Sequence, residues 1–364
     1  MQWALNRMRV LLPWPASRSH VVMMALTVLL PLMLVLALAT GPVSVPTSQV
    51  LQSLGNVLVG AELSGSGVSS QQDWIVRELR LPRVLLAMLV GAGLAVAGAI
   101  TQGVFRNPLA DPGLIGVSSG AALAAVAVIV LQGSLLSGYA AFFGPFALPV
   151  AAFAGGLGVT WLIYRLSTCQ GQTQMAMLLL AGVAINVIAG ALTGILTYMA
   201  DDQQLRSMTF WSMGSLAHGK WSEIAVLALC IAVPLLALPR FAALLNALLM
   251  GEAVAGHLGF AVQRGKRWLI VAAALMVGAG VAVAGMIGFI GLVVPHLLRL
   301  LMGPDHKALL PGCALLGATL LLVADTIART WLAPADLPVG LVMAVIGGPV
   351  FLSLLLQQSR RVLA

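Results

Sequence analysis

Val84-Leu85-Leu86-Ala87-Met88-Leu89-Val90-Gly91-Ala92-Gly93-Leu94-Ala95-Val96-Ala97-Gly98-Ala99-Ile100 runs for seventeen residues without a charge. At about 1.5 Å per residue, a helix of that length covers most of the roughly 30 Å of hydrocarbon in a bilayer. Val21 to Ala39 is a second such block. Around these blocks only 8% of the 364 residues are Asp, Glu, Lys or Arg, while 60% are hydrophobic. A water-facing surface needs far more charge than this. A membrane β-barrel would alternate apolar with polar residues over ten-residue segments. Ala121-Ala122-Leu123-Ala124-Ala125-Val126-Ala127-Val128-Ile129-Val130 is instead continuous, as a span whose backbone bonds are all internal can be. The chain reads as an all-α polytopic membrane protein.

Working outward gives ten expected spans: 20–40, 83–104, 114–132, 144–166, 174–199, 221–239, 267–284, 286–302, 309–331 and 338–357. Ten spans put both termini on one side. With the N-terminus inside, six basic residues (Arg77, Arg80, Arg83, Arg206, Lys220, Arg329) fall outside, and the other thirteen of the nineteen fall inside. The positive-inside rule then predicts cytoplasmic N- and C-termini. The net charge of +8 is accordingly topology and not a nucleic-acid patch. Arg7, Arg9 and Arg18 ahead of an apolar run imitate a secretory signal, but Val21 to Ala39 exceeds the 7 to 15 residues of a signal core, and an uncleaved first helix is expected. Cys169, Cys230 and Cys313 are odd in number and scattered, which suits neither a disulfide framework nor a metal cluster.

The segment 41–80 is the longest polar stretch and lies outside. Val50 to Leu58 has helical spacing, and a flexible Gly65-Ser66-Gly67 follows it. The inside loop 241–266 is partly apolar: two short helices are expected, Leu244 to Met250 and Gly251 to Gly259, broken at Gly251. A structured apolar loop of this kind usually touches a partner. Gly91, Gly93 and Gly98, the GxxxG runs Gly116–Gly120 and Gly190–Gly194, and Gly285, Gly288 and Gly291 let helix backbones approach closely. Packing within one subunit is the plain expectation, and a seam between two copies is the alternative for one of them. Pro-containing inside turns at Arg106 to Pro112 and Gly303 to Pro311 hint at an inverted repeat of five plus five spans.

Span two ends in Gly98-Ala99-Ile100-Thr101-Gln102-Gly103-Val104-Phe105-Arg106-Asn107-Pro108-Leu109-Ala110-Asp111-Pro112-Gly113-Leu114-Ile115-Gly116-Val117-Ser118-Ser119-Gly120-Ala121. Two prolines four apart stop one helix and start the next, with Asp111 placed to cap. This run resembles the FecCD family of ABC-importer permeases, which carry vitamin B12, haem or ferric siderophores. The resemblance continues from Leu79-Arg80-Leu81-Pro82-Arg83 through Leu178-Leu179-Leu180-Ala181-Gly182-Val183-Ala184 and Trp211-Ser212-Met213-Gly214-Ser215-Leu216. It resumes at Gly288-Phe289-Ile290-Gly291-Leu292-Val293-Val294-Pro295-His296, Asp305-His306-Lys307, Ala324-Asp325-Thr326-Ile327-Ala328-Arg329 and Leu337-Pro338-Val339-Gly340.

The resemblance implies a single permease domain over 1–364 with the type II ABC importer fold, 41–80 as periplasmic loop and 241–266 as cytoplasmic coupling loop. It implies that Arg80, Arg83 and Arg329 dock carboxylates of a periplasmic substrate-binding protein, for which the guanidinium fork is well shaped. Interfacial snorkelling is the alternative for the same residues. Gly251, Glu252, Ala253, Ala255, Gly256, Leu258 and Gly259 match the loop that seats on the ATPase subunit. Asn107 and Leu109 match inner-gate residues, and a purely structural turn is the alternative. Met175, Ala176 and Met177 stand where the vitamin B12 relative has small polar residues, which suggests a more apolar exit.

The implied partners are a second permease copy, two ATPase subunits, the binding protein and a haem or related iron or corrin cargo. The implied place is the bacterial inner membrane. No cofactor is expected on this chain, since ATP and Mg²⁺ belong to the ATPase. Gly214-Ser215-Leu216-Ala217-His218-Gly219-Lys220-Trp221 only imitates a P-loop, because Trp221 replaces the Ser/Thr that would hold Mg²⁺. His296 and His306 lack ligand-spaced partners. An ion-coupled secondary transporter would keep carboxylates in mid-span, whereas Glu223 and Asp325 lie near outside ends.

Overall fold

A computed structural model describes residues 16–59, 70–217 and 219–363. The expected flexible Gly65-Ser66-Gly67 and His218 of the false P-loop lie outside the described residues. Each of the ten expected spans is occupied by a helix: α1 (Ala16–Ala39), α4 (Leu81–Phe105), α5 (Val117–Leu131), α7 (Ala147–Leu166), α8 (Met175–Met199), α10 (Trp221–Leu249), α12 (Val262–Ala284), α13 (Ile290–Met302), α14 (His306–Thr330) and α15 (Val339–Leu363). Among the described residues six helices are long and apolar enough to cross a membrane, or seven if the bent α10 counts as one span; three shorter apolar helices include α5 and α13. Short helices α2 (Thr47–Val59), α3 (Ser70–Trp74), α6 (Ser137–Phe143), α9 (Asp202–Ser212) and α11 (Glu252–His257) fill the connections. A two-stranded hairpin, β1 (Thr168–Cys169) and β2 (Gln172–Thr173), joins α7 to α8.

Contacts at the tips show the helices alternating in direction. Arg83 near the start of α4 meets Asp325 near the end of α14, and this end of the bundle is called upper. Gln102 near the end of α4 meets Arg299 of α13 at the lower end. Ser19 of α1 bonds the carbonyl of Met302 there, 3.1 Å away, so the first described span starts at the lower end.

The centre is the α4–α14 pair. A Cβ at Gly91 would overlap the carbonyl of Gly317, and one at Gly317 would overlap that of Gly91. Gly98 lies against the backbone of Gly291 in the same way. Lipid tails are as apolar as side chains, so such backbone contact and not burial from water holds helices together here. α4 is buried along nearly all its length, in keeping with a central position. α8 is the opposite: only 17% of its apolar window is buried.

Three local expectations are corrected. Leu244 to Met250 is not a separate short helix; α10 runs on to Leu249, bending by 60° between Ala237 and Pro239. Proline removes a backbone donor and clashes with the preceding turn, so the helix kinks rather than stops. Span eight does not begin at 286. Gly285 and Phe289 take left-handed φ values of 70° and 68°, and helix α13 starts only at Ile290. Gly285, Gly288 and Gly291 therefore do not form one helical face. The break at Gly251 and the stop near Gly259 are as expected, with φ of 115° and 87°.

Candidate functional site

At the lower end, Gly251 takes a backbone conformation that a side-chain-bearing residue rarely adopts, and it turns the chain from α10 into α11. Ala255 is fully buried and anchors this short helix against the bundle. Met250 and Leu258 are 65% and 60% exposed beside it, and Val254 is also exposed. Three apolar side chains thus lie uncovered together on and beside this short helix. Glu252 forms an ion pair of 2.8 Å with Lys266 of α12, whose side chain is wholly buried. Gly251, Glu252, Ala253, Ala255, Gly256, Leu258 and Gly259 thus form one ordered knob projecting from the lower end.

Next to it lies the turn after α4. Arg106 adopts a left-handed conformation and ends the helix. Asn107 Oδ1 accepts from the N–H of Leu109 at 3.0 Å, and Asp111 Oδ1 accepts from Gly113 N–H at 2.7 Å. Burial pushes the Asp111 carboxyl up from its ordinary pKa, partly offset by that N–H. The guanidinium of Arg106 sits 3.9 Å from where a Cβ on Gly251 would be, so turn and knob are neighbours. Asn107 is exposed and Leu109 half-buried.

Met175, half-buried, and Ala176 and Met177, both exposed, form the first turn of α8 directly after the hairpin. α8 is tied to the same turn: Asn186 donates to Gly113 O at 3.3 Å and contacts Ser119 Oγ at 2.6 Å. The two sets of gate candidates therefore belong to one connected unit. Opposite it, the Asp111–Gly113 turn and the unwound Met286–Gly288 segment border a cavity of about 210 Å³ that Leu94, Ser118 and Phe289 also line. Small-ligand pockets span roughly 300–1,000 Å³. This cavity is too small to be a route for a large cargo within one chain.

At the upper end the three arginines are engaged internally. Arg80 is 6% exposed and donates to the carbonyls of Leu38, Ala39 and Val43. Arg329 is 3% exposed, donates to Ala37 O, and lies 3.7 Å from Asp325. Arg83 is closest to the surface and is gripped by buried Asp325 and by Asp336, each at 2.9 Å. All three arginines thus sit together at one end, and Asp336 is the outermost charge of the cluster. This buried arrangement differs from the snorkelling alternative, in which the charged heads would reach water.

Sequence reading missed Lys266, Asp336 and Asn186 as participants. Lys266 is one of three cations in Val262-Gln263-Arg264-Gly265-Lys266-Arg267, and nothing in that string marks which of them turns inward. His306 contacts Asn246 Oδ1 through Nδ1 at 2.9 Å, as a structural histidine does.

The model of the FecCD transport family matches residues 29–357. The chain belongs to the FecCD transport family. It is 47% identical over 328 residues to the hemin transport system permease protein of Yersinia pestis, covering 86% of this chain and 94% of that one. It is 42% identical to the vitamin B12 import system permease protein of Salmonella paratyphi A, over 81% of this chain and 88% of the relative. The cobalamin import system permease protein of Halobacterium salinarum is also 42% identical, over 82% and 77%. A solved structure described as an inward-facing conformation of a metal-chelate type ABC transporter superposes with a TM-score of 0.78 at 32% identity, covering 92% of this chain and 98% of that one. The FecCD chain is a multi-pass permease of the ABC-importer type and not itself an ATPase.

Proposed function

We propose that this permease passes haem from a periplasmic substrate-binding protein to the cytoplasm, as a homodimer seated on two ATPase subunits, with both termini cytoplasmic. The observation that carries the reading is the lower knob: a short helix framed by left-handed glycines, with Met250, Val254 and Leu258 exposed. An ATPase surface closing over these apolar side chains would gain roughly 1.5–3 kcal/mol for each one fully buried.

Two further features support a second copy. Gly120 packs against Gly155 inside the chain, whereas a Cβ added at Gly190 or Gly194 of α8 would meet nothing within 4 Å among the described residues. One GxxxG run is thus used internally and the other is open on a face that also bears Val183, Val187 and Tyr198. The small internal cavity likewise favours a cargo path between two chains. Haem is favoured by the higher identity to the hemin permease and by the apolar Met175 and Met177 at the start of α8. The relatives named for vitamin B12 keep that cargo, or a ferric siderophore, as the second reading.

For docking, the proposal places the carboxylates of the binding protein over the Arg80, Arg83 and Arg329 cluster. Arg83 is the member nearest the surface, and Asp336 occupies one side of its fork. The test is uptake into proteoliposomes holding this chain and its ATPase, with binding protein and haem outside. Haem uptake that requires both ATP and binding protein supports the proposal. ATP-dependent uptake of vitamin B12 or siderophore without haem overturns the cargo, and uptake driven by an ion gradient alone overturns the class.

A further inference from the structure

The short hairpin between α7 and α8 is held from two sides. Thr173 N–H donates to Gln263 Oε1 at 3.1 Å, and Thr173 O accepts from Lys266 Nζ at 3.0 Å. Gln263 and Lys266 lie three residues apart on one face of α12, so a single helical turn grips both backbone groups of Thr173. The same Nζ is paired with Glu252 of α11 at 2.8 Å. One ammonium group therefore joins the exposed knob to the residue two positions before Met175, where α8 begins.

A fully buried ammonium is costly unless every donor is used. Lys266 is 0% exposed, while its acid partner is one-third exposed. A surface pair of Glu252 with a solvated cation would steady the knob at less cost. What burial adds is the bond to Thr173, which a surface cation would not reach. Tyr164 OH accepts from Thr173 Oγ1 and from Arg267 Nε, each at 3.2 Å, bracing the hairpin as one body.

We propose that Lys266 is the positioning residue through which the ATPase-facing helix α11 moves the hairpin and, with it, the first turn of α8. This rests on reading α11 as the ATPase contact. A push on α11 then reaches Met175, Ala176 and Met177 through Glu252, Lys266 and Thr173 without crossing the core of the bundle.

The test uses the assembled importer in proteoliposomes and reads cargo taken up per ATP hydrolysed. Lys266→Met fills the buried site with a similar apolar volume and leaves Glu252 free to hydrate. The ratio is expected to fall about tenfold, the change that about 1.4 kcal/mol of lost coupling produces. Lys266→Arg, which keeps the charge, is expected to recover part of it. Gln263→Ala, which loosens the hairpin without touching the ion pair, is expected to lower the ratio about threefold by weakening one hydrogen bond.

A spin label on exposed Cys169, with Cys230→Ala, reports the hairpin directly. Its spectrum is expected to change on ATP binding in the parent and not in Lys266→Met. An unchanged ratio together with a persisting spectral change overturns the proposal. If Lys266→Met does not assemble, an unchanged ratio and spectrum in Gln263→Ala overturns it instead. Deleting Gly251 to Gly259 separates the two levels: an ATPase subunit that still co-purifies refutes the reading of α11, whatever Lys266 does.

Discussion

Replacing Asp325 by Asn removes the buried negative charge that lies between Arg83 and Arg329 at the upper end. The carboxylate is fully buried and lies 2.9 Å from Arg83 and 3.7 Å from Arg329. At an effective dielectric constant of about 20, the attractions to Arg83 and Arg329 are worth roughly 6 and 4.5 kcal/mol before desolvation. Burying the carboxylate offsets several of these. Arg83 keeps Asp336 when Asp325 is neutralised, so its loss is partial. Arg329 keeps hydrogen bonds to the carbonyl of Ala37 and, at 3.4 Å, the Thr326 hydroxyl, with Asp336 its remaining acid. A net loss of about 3 kcal/mol follows, at the lower end of what breaking a buried pair costs, or roughly a hundredfold in the unfolding equilibrium.

Reversible unfolding in mixed detergent micelles measures it, and a double-mutant cycle with Arg329→Met isolates the pair. Asp325→Leu combined with Arg329→Met is expected to recover most of the stability, since neither charge is then stranded. A single variant within about 0.5 kcal/mol of the parent, with no coupling in the cycle, would refute the account of the cluster.

Other outcomes follow from the same geometry. Arg80→Gln is expected to destabilise the chain by about 1.5–3 kcal/mol, because a buried charged donor is lost from the carbonyls at and just beyond the end of α1; thermal unfolding in detergent checks it. Asp336→Asn is expected to raise affinity for an acidic binding protein only a fewfold, as exposed pairs are worth about 0.2–1 kcal/mol; a titration at low and high salt checks it. Gly317→Leu is expected to force α4 and α14 apart and lower the unfolding temperature sharply, since overpacking costs about 1–3 kcal/mol or more. Gly190→Leu together with Gly194→Leu is expected to leave the single chain folded and shift it from dimer to monomer by light scattering. Met250→Ser with Leu258→Ser is expected to weaken retention of the ATPase subunit during purification by tenfold or more, given about 1.5–3 kcal/mol per buried apolar side chain.

The helices and the knob were legible because each has a one-dimensional signature. Continuous apolar runs separated by charges mark spans, and Gly251 and Gly259 bracket Glu252 to Leu258 in the string itself. The unwound Gly285 to Phe289 segment was not legible, since Met-Ile-Gly-Phe-Ile is as apolar as any helix interior. Its conformation is set by tertiary contact: Ser215 N–H reaches Ala284 O at 2.8 Å, and Trp211 and Gly214 pack on the backbone of 285 and 286. Nor did the sequence reveal which cations are buried. The resemblance marks Arg80 as a docking residue and Lys266 reads as an ordinary flanking charge, and only the fold shows that each is surrounded by carbonyls or acids. The turn after α4 was legible from its two prolines and Asp111, but the bonds from Gly113 and Ser119 to α8 are made by Asn186, which no local pattern singles out.

The interlocked glycines of α4 and α14 have a mechanical consequence. Each helix has 25 residues, about 37 Å at the standard rise, so the pair reaches from one water layer to the other. Backbone lies on backbone at Gly91 and Gly317, with only the Cβ atoms of Ala95 and Leu321 wedged beside them, which leaves little room for one helix to slide on the other. The pair behaves as a single lever without a joint: its upper tip carries Arg83 and Asp325, its lower tip Gln102 and His306. A small sideways displacement imposed at one tip reappears at the other in the opposite direction, and the membrane around its middle serves as the fulcrum.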